Sequence, residues 1–469
     1  MVRSVCLASV HPSERTMLAP PLWIGLLAAA GVGLIAGSWV NWATYTLAWN
    51  RRPISPWAPR HERAPARVVT DRVPLWGWFG LRREADIHGA GFWRRPFAVE
   101  LFMALAWAAL YWWEVDQQGL LHHQFEALAG GPLQRGALVA PAWTTLATFL
   151  SHAILLTLMA AASLIDFDEK TIPDGVTTPG TLLALALAAA LPMSLLPHVA
   201  ERMAPPLAGV VIPLPAGAAA QMKGAALYVE PLSLAAPNVW PARLAGAPNG
   251  ASLTIGLACF ALWWVALTPR IMRWRRGLFF GLRVLAARSL RELLRPRSAL
   301  IGLVGFVAIG AVWYRGGQSW LGLLTALVGM VGGGAMVWAV RIVGSAALRK
   351  EAMGFGDVTL MMMIGAFLGW QPTVFIFFIA PFAGLLIGIT QMILRRDDVI
   401  PYGPFLCLAA AAVTVWWAWF WNQDPHGFQA IFELGWLLPA VLALGVVMLG
   451  ALLVIWRNIK EWIFGVEAE

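Results

Sequence analysis

Apolar runs of about twenty residues recur along most of this chain, and each is long enough as a helix to cross a hydrocarbon layer about 30 Å thick. They lie near 22–48, 97–114, 143–165, 178–197, 252–268, 299–314, 320–341, 357–370, 372–394, 404–421 and 434–456. The 357–370 run is short for a full crossing. Tryptophan gathers near the ends of the runs, as interfacial anchors do. The run from Leu22 to Val40 is too long for the apolar part of a cleaved signal peptide, and no small-residue cleavage site follows it. Of 469 residues, 59% are apolar and 13% charged, with a mean hydropathy of +0.67. A soluble fold carries about twice that share of charge, and intrinsic disorder does not tolerate so much apolar surface. The expected fold is all-α, a polytopic transmembrane helical bundle of about 9–11 spans with a cytoplasmic N-terminal loop region.

Arginine counts set the orientation. Residues 51–95 hold ten Arg against Glu62, Asp71, Glu84 and Asp86, a net +6, and residues 269–298 hold nine against Glu292, a net +8. The stretch 198–250 carries only Glu201, Arg202, Lys223, Glu230 and Arg243. Positive loops stay in the cytoplasm, so both Arg-rich loops face inward. The first helix then enters from an outside N-terminus, and, with 357–370 crossing, the Arg457–Lys460 segment ends inside. The formal net charge of +9 is thus a topology signal and not the mark of a nucleic-acid partner. The Ala- and Pro-rich stretch 198–250 reads as an extracytoplasmic loop or small cap without its own core. No internal repeat of convincing period is visible.

Carboxylates beside membrane spans are costly and point to function. Leu164-Ile165-Asp166-Phe167-Asp168-Glu169-Lys170-Thr171-Ile172-Pro173-Asp174 closes the third run, and Met353-Gly354-Phe355-Gly356-Asp357-Val358-Thr359-Leu360 opens the eighth. The topology puts both on the cytoplasmic face. Taken singly, each has an ordinary reading: a solvated helix end followed by a turn, and Asp357 as a helix N-cap. Taken together they read differently. Two neighbouring carboxylates cannot both ionise cheaply, so one keeps its proton. The pair can then hold a water between a base and an acid, with no metal required. Glycines beside Asp357 would let the backbone approach closely or adopt conformations closed to other residues.

At these residues the chain resembles the type IV prepilin peptidases, bacterial inner-membrane aspartic proteases of the GxGD type. Gly37-Ser38 with Asn41, then Arg51-Arg52-Pro53 and Ser55-Pro56, is similar to the opening of that family. His88-Gly89, Arg94-Arg95-Pro96 and Val99-Glu100-Leu101 resemble the end of its cytoplasmic N-terminal region. Asp166 to Asp174 fits its first motif, D-x-D-x-x-x-I-P-D, and Glu351 to Val358 fits the second, continued by Gly365-Ala366-Phe367-Leu368-Gly369. Ile400-Pro401-Tyr402-Gly403-Pro404-Phe405 is similar to a later family segment.

The resemblance implies cleavage of type IV prepilin or pseudopilin precursors, whose basic leader lies in the cytoplasm ahead of a membrane helix. It implies Asp166 and Asp357 as the catalytic pair, supported by Gly354, Gly356, Asp168, Pro173 and Asp174. It also implies N-methylation of the new terminus, which would need S-adenosylmethionine; proteolysis needs no cofactor. The resemblance places the protein as a multi-pass protein in the bacterial inner membrane, with the lipid bilayer and the precursors as partners. Its oligomeric state is open.

Two departures matter. Many relatives bind zinc through paired CxxC motifs in the cytoplasmic loop, but residues 51–95 contain no cysteine, and Cys6, Cys259 and Cys407 lie far apart. No zinc is expected; the loop would fold instead through Trp57, Trp76, Trp78 and Trp93. About 120 residues also look inserted between the two motifs. The expected organisation is 1–50, an N-terminal segment with the first helix; 51–96, the cysteine-free loop; 97–197, the first part of a peptidase core; 198–345, the insertion; and 346–469, the second part. Within the insertion, Arg270, Arg273, Arg275, Arg276, Arg283, Arg288 and Arg291 alternate with apolar residues, as in a helix lying on anionic lipid.

His88 reads as a loop stabiliser or a catalytic group, and Met361–Met363 and Trp416–Trp421 as lipid-facing or packing residues. A transporter or channel using the same carboxylates as a proton relay is the alternative. It would place its acids near mid-membrane among inverted repeats. A catalytically silent scaffold would not need both aspartates.

Overall fold

The computed structural model describes residues 21–129, 140–206, 209–212, 225–234, 236, 244, 248–268, 287, 290–349, 351, 353–394, 401–422 and 428–464. The arginines from Arg270 to Arg288, and Ile400 and Ala352 of the matched segments, lie outside the described residues.

Each of the eleven apolar runs forms a helix. In chain order the helices are α1 (Leu22–Thr46), a short α2 (Trp76–Leu81), α3 (Arg94–Tyr111), α4 (Gly119–Ala129), α5 (Ala142–Glu169) and α6 (Asp174–Ala190). They continue as α7 (Gly250–Ala266), α8 (Pro296–Arg315), α9 (Gly317–Leu348), α10 (Phe355–Leu368), α11 (Trp370–Leu394), α12 (Gly403–Val415), α13 (Trp417–Asn422) and α14 (Leu437–Phe464). Among the described residues, six helices are long and apolar enough to cross a membrane, and five shorter apolar helices, including α6, α7, α10 and α12, pack with them. The chain is an all-α, multi-pass helical protein.

The short eighth run is α10, and it is the most enclosed helix of the bundle. Every residue from Val358 to Leu368 is buried. Met361 to Met363 are therefore packing residues and do not face lipid. α10 lies against α9, α6 and α11. Its crossing with α9 is tight because Gly329 and Gly365 meet there: a Cβ on either would come 2.2 Å from the other's carbonyl oxygen. Small residues let membrane helices approach in this way. By contrast, α8 and α14 expose most of their apolar side chains on the outside of the bundle, as lipid-facing helices do.

The bundle has two distinct ends. At one, Glu169 accepts the backbone N–H groups of Trp49 and Asn50 at 2.5 and 2.7 Å, and Arg95 grips both oxygens of Asp168 at 2.7 and 2.9 Å. This is the basic end, where residues 47–93 pack. At the other, Trp113 Nε1 donates to Val415 O, Thr148 to Met193 O, and Gln371 to Ser233 O and Ala236 O.

At that opposite end the described part of the stretch 198–250 forms a small cap whose apolar side chains pack on neighbouring helices. Three antiparallel strands form there in the order β1 (Pro197–Arg202), β3 (Ala226–Pro231), β2 (Val210–Val211). Pro197 pairs with Pro231 and Arg202 with Ala226. Val199, Ile212, Leu227 and Val229 form an apolar cluster with Leu121 and Phe125 of α4. The sheet is pinned to α13, since Trp417 Nε1 donates to Pro197 O and Trp421 Nε1 to His198 Nδ1. Trp417 and Trp421 are buried for this reason, while Trp416 and Trp419 stay exposed.

The cysteine-free region folds around charges more than around tryptophan. Arg67 is nearly buried, pairs with fully buried Glu84 at 3.0 Å, and donates to the carbonyls of Pro53, Ser55 and Ala58. Arg83 pairs with Asp71. Only Trp78 and Trp93 join the apolar cluster with Tyr45, Ile54, Leu81, Phe92 and Phe97. Trp57 and Trp76 are exposed, which corrects their expected role as core residues. His88 sits 3.4 Å from Glu84 and stacks near Phe92 at 5.1 Å, a structural position within the loop.

Candidate active site

The last turn of α5 carries Asp166 inward and Phe167 and Asp168 outward. The helix stops because Lys170 adopts a left-handed conformation (φ 56°), its N–H closing on Asp166 O at 2.8 Å. The chain then runs extended through Pro173, which sits just before α6, and Asp174 is the exposed first residue of that helix. Asp357 arrives from the other direction. Gly354 precedes α10, so Asp357 is its third residue and not an N-cap. An acid in the first turn is favoured by the helix dipole.

Asp166 and Asp357 are both buried, 4% and 7% exposed, and their segments meet through Ile172. Ile172 is the hinge between their elements. It lies beneath Gly356, where a Cβ would come 2.9 Å from the Ile172 Cβ and 3.2 Å from its backbone nitrogen. A side chain at 356 would push the two motifs apart. Gly354 differs: its φ is −65°, and a Cβ there would make only ordinary contacts, with Asp357 Oδ2 at 3.8 Å and Gly356 N at 4.0 Å. Of the two glycines, Gly356 is the one the geometry requires.

A third segment completes the site. The backbone N–H of Gly403, at the start of α12, donates to Asp166 Oδ2 at 3.1 Å. A Cβ at 403 would come 2.5 Å from that oxygen and 2.8 Å from Ile172 Cδ1. Tyr402 precedes this glycine, and Cys407, one turn further along α12, is buried. Among the described residues no hydrogen bond reaches the Asp357 carboxylate. A hydrogen bond to a carboxylate favours its charged form, so the pair is asymmetric, with Asp166 the better placed to carry the charge.

The turn before α10 is held by Arg341 of α9. Its Nε donates to Met353 O at 2.9 Å, an Nη donates to Glu351 at 2.6 Å, and the guanidinium lies 5.6 Å from the Phe355 ring. Asp168 and Glu169 face away from the pair and tie α5 to the basic end. Gly403 was legible only as part of a matched segment, and Arg341 and Glu169 carried no sequence signal. Their roles depend on partners far away in the chain.

One further buried pair lies away from this site. A π-helical turn at Trp112–Asp116 points Glu114 at His152, 2.8 Å away, both side chains 1% exposed. It is fourteen residues, about 21 Å of helix, from Asp166.

Among the described residues no group of three or more His, Cys, Asp or Glu side chains is placed to hold a metal ion. The basic-end region lacks the cysteines that would bind zinc there, and its acids Asp71 and Glu84 are already taken by Arg83 and Arg67.

The fold is a polytopic helical bundle that carries the two buried aspartates Asp166 and Asp357 at one end. Comparisons with known proteins match parts of this chain. Residues 278–389, which contain Asp357 but not Asp166, match the type IV leader peptidase family. The chain is similar to the prepilin leader peptidase/N-methyltransferase of Aeromonas salmonicida, 32% identical over 94 residues, covering 19% of this chain and 32% of that protein. It is similar to the protein of the same name from Pseudomonas putida, 31% identical over 100 residues, 21% of this chain and 35% of the relative. A Burkholderia pseudomallei relative of that name is 26% identical over 139 residues, 29% and 44% respectively. The match thus spans about a third of the length of the first of these relatives. No solved structure matches. Over these segments the chain is similar to the type IV leader peptidases, as its motifs led one to expect.

Proposed function

We propose that the protein is an aspartic endopeptidase that removes the leader of type IV prepilin-like or pseudopilin precursors at the cytoplasmic face of the bacterial inner membrane. The observation that carries this reading is the meeting of Asp166 and Asp357, 191 positions apart, in one buried site whose geometry Ile172, Gly356 and Gly403 fix. The site lies at the end of the bundle that holds the Arg-rich region 51–95, which the positive-inside rule assigns to the cytoplasm. A precursor with a basic leader ahead of a membrane helix presents its boundary at that depth.

In the reaction, ionised Asp166 takes a proton from a water, and the resulting hydroxide attacks the scissile carbonyl. Protonated Asp357 gives its proton to the carbonyl oxygen. As the C–N bond breaks, Asp166 passes the proton it took from water to the leaving nitrogen, and a hydroxyl proton of the collapsing gem-diol returns to Asp357. The pair is restored in the same net charge. Ile172, Gly356 and Gly403 hold the pair in place, while Asp168 ties α5 to Arg95 and Pro173 and Asp174 form the turn into α6.

N-methylation of the new terminus is part of the same reading, because the relatives carry that activity in their names; it would draw on S-adenosylmethionine. The test is co-expression of the full chain with a candidate precursor, followed by mass spectrometry of the precursor's N-terminus. Loss of the leader supports the peptidase, and a further methyl mass supports methylation. An intact leader across several pilin-like precursors contradicts the proposal.

A further inference from the structure

The basic-end region neutralises only part of its charge. Three of its ten arginines find carboxylates: Arg67 with Glu84, Arg83 with Asp71, and Arg95 with Asp168. Arg51, Arg52, Arg60, Arg63, Arg72, Arg82 and Arg94 have no acid partner among the described residues, and all seven are exposed. The two remaining acids of the region, Glu62 and Asp86, cannot balance them. Folding has used up the carboxylates inside and left a cationic exterior.

That exterior meets the membrane boundary at a defined place. Leu75 donates its backbone N–H to Glu100 Oε2 at 2.6 Å, and Glu100 also accepts from Ser38. Glu100 is six residues into α3, about 9 Å along a helix that belongs to a candidate membrane span. The segment 73–79 is therefore drawn down beside the last turns of α1 and the first turns of α3. Leu75 has a φ of 60°, a strained backbone for a residue with a side chain, and the buried Glu100 holds it there.

The side chains this turn presents are apolar and outward. Trp76 is 71% exposed, and Val73 and Phe79 are exposed as well. An aromatic path runs from Trp76 through Phe79 to Trp93 and Phe97, with centroid distances of 5.6–6.2 Å, ending on the first turn of α3. Arg82 lies over two of these rings, 4.6 Å from Phe79 and 4.0 Å from Trp93. Aromatic side chains at headgroup depth beside free guanidinium groups fit an anionic bilayer surface.

We propose that residues 73–94 form an interfacial anchor in which Trp76 and Phe79 enter the headgroup layer while Arg82 and Arg94 bind the phosphates of anionic phospholipids. This seats the region on the membrane beside the aspartate pair. The anchor does not depend on the peptidase reading.

The test uses the full chain carrying Cys6→Ser and Val73→Cys, labelled at 73 with an environment-sensitive dye; Cys259 and Cys407 are buried. It is reconstituted in nanodiscs of phosphatidylcholine alone or mixed with phosphatidylglycerol, with nitroxide-headgroup lipid as quencher. The dye is expected to be quenched, and more strongly when phosphatidylglycerol is present. Arg82→Gln and Arg94→Gln should each weaken retention of phosphatidylglycerol about fivefold, whereas Arg82→Lys and Arg94→Lys should retain it. A dye that stays unquenched would overturn the proposal. So would a Gln pair that prefers phosphatidylglycerol as strongly as the parent. Should the Gln pair fail to insert, quenching at 73 and the Lys pair still decide.

Discussion

The backbone N–H of Gly403 reaches Asp166 Oδ2 across 237 positions of sequence, at 3.1 Å, and so joins the start of α12 to the end of α5. One peptide group thereby sets the direction of a buried carboxylate. It also ties a segment with no acid of its own into the aspartate site.

This contact makes Gly403→Ala informative. The added methyl would press on Asp166 Oδ2 and Ile172 Cδ1 and displace the carboxylate. Misplacement of a catalytic group by about 1 Å costs roughly 10²-fold in rate. The variant should insert in the membrane normally while its leader-cleavage rate falls by about that factor. A rate within a fewfold of the parent would detach Gly403 from the site.

The two glycines of the second motif should separate. Gly356→Ala would drive a methyl into the Ile172 Cβ and backbone, so a loss of about 10²-fold is expected. Gly354→Ala has an ordinary φ and would place its methyl in ordinary van der Waals contact with Asp357 Oδ2, without a clash, and should keep most of the activity. Kinetics of both variants against one precursor check the contrast.

Arg67→Met tests whether charge pairs hold the cysteine-free region together. The change would leave Glu84 buried without its arginine, with only His88 at 3.4 Å beside it, and three backbone carbonyls without the bonds Arg67 gives them. Breaking a buried pair in this way costs about 3–5 kcal/mol. Hydrogen exchange over residues 53–93 should rise sharply in the variant. A metal chelator applied to the parent should leave that exchange unchanged.

Acid should loosen the same region. Burial alone would push Asp71 up, but the hydrogen bonds from Arg83 and the Val68 N–H outweigh it and hold the carboxyl below its usual range. A carboxylate depressed in the folded state stabilises fully above its unfolded pKa of about 3.9 and loses that stabilisation as pH falls through the lower folded value. Protection of residues 68–83 is expected to fall below about pH 4, and Asp71→Asn should remove that step.

The bundle was legible because lipid-facing and buried helices both need long apolar runs, and all eleven runs from Leu22 to Trp456 are helical. The small sheet was not, because Ala and Pro dilute the alternation of Val199, Leu227 and Val229. The motifs pointed to Asp166 and Asp357, but composition could not show that Gly356 and Gly403 do different work from Gly354. That difference lies in Ile172 and Asp166, which reach these glycines only in the folded chain. Trp57 and Trp76 misled for a related reason. Tryptophan suits a core and a membrane interface equally well, and sequence alone does not say which surface it meets.

The central claim is that Asp166 and Asp357 act as one acid–base pair. Asp166→Asn and Asp357→Asn, each co-expressed with a precursor that the parent cleaves, test it through the mass of the precursor's N-terminus. Both variants should reach the membrane at parental levels and leave the leader intact, with cleavage at least about 10³-fold down. Cleavage by either variant at close to the parental rate would contradict the account.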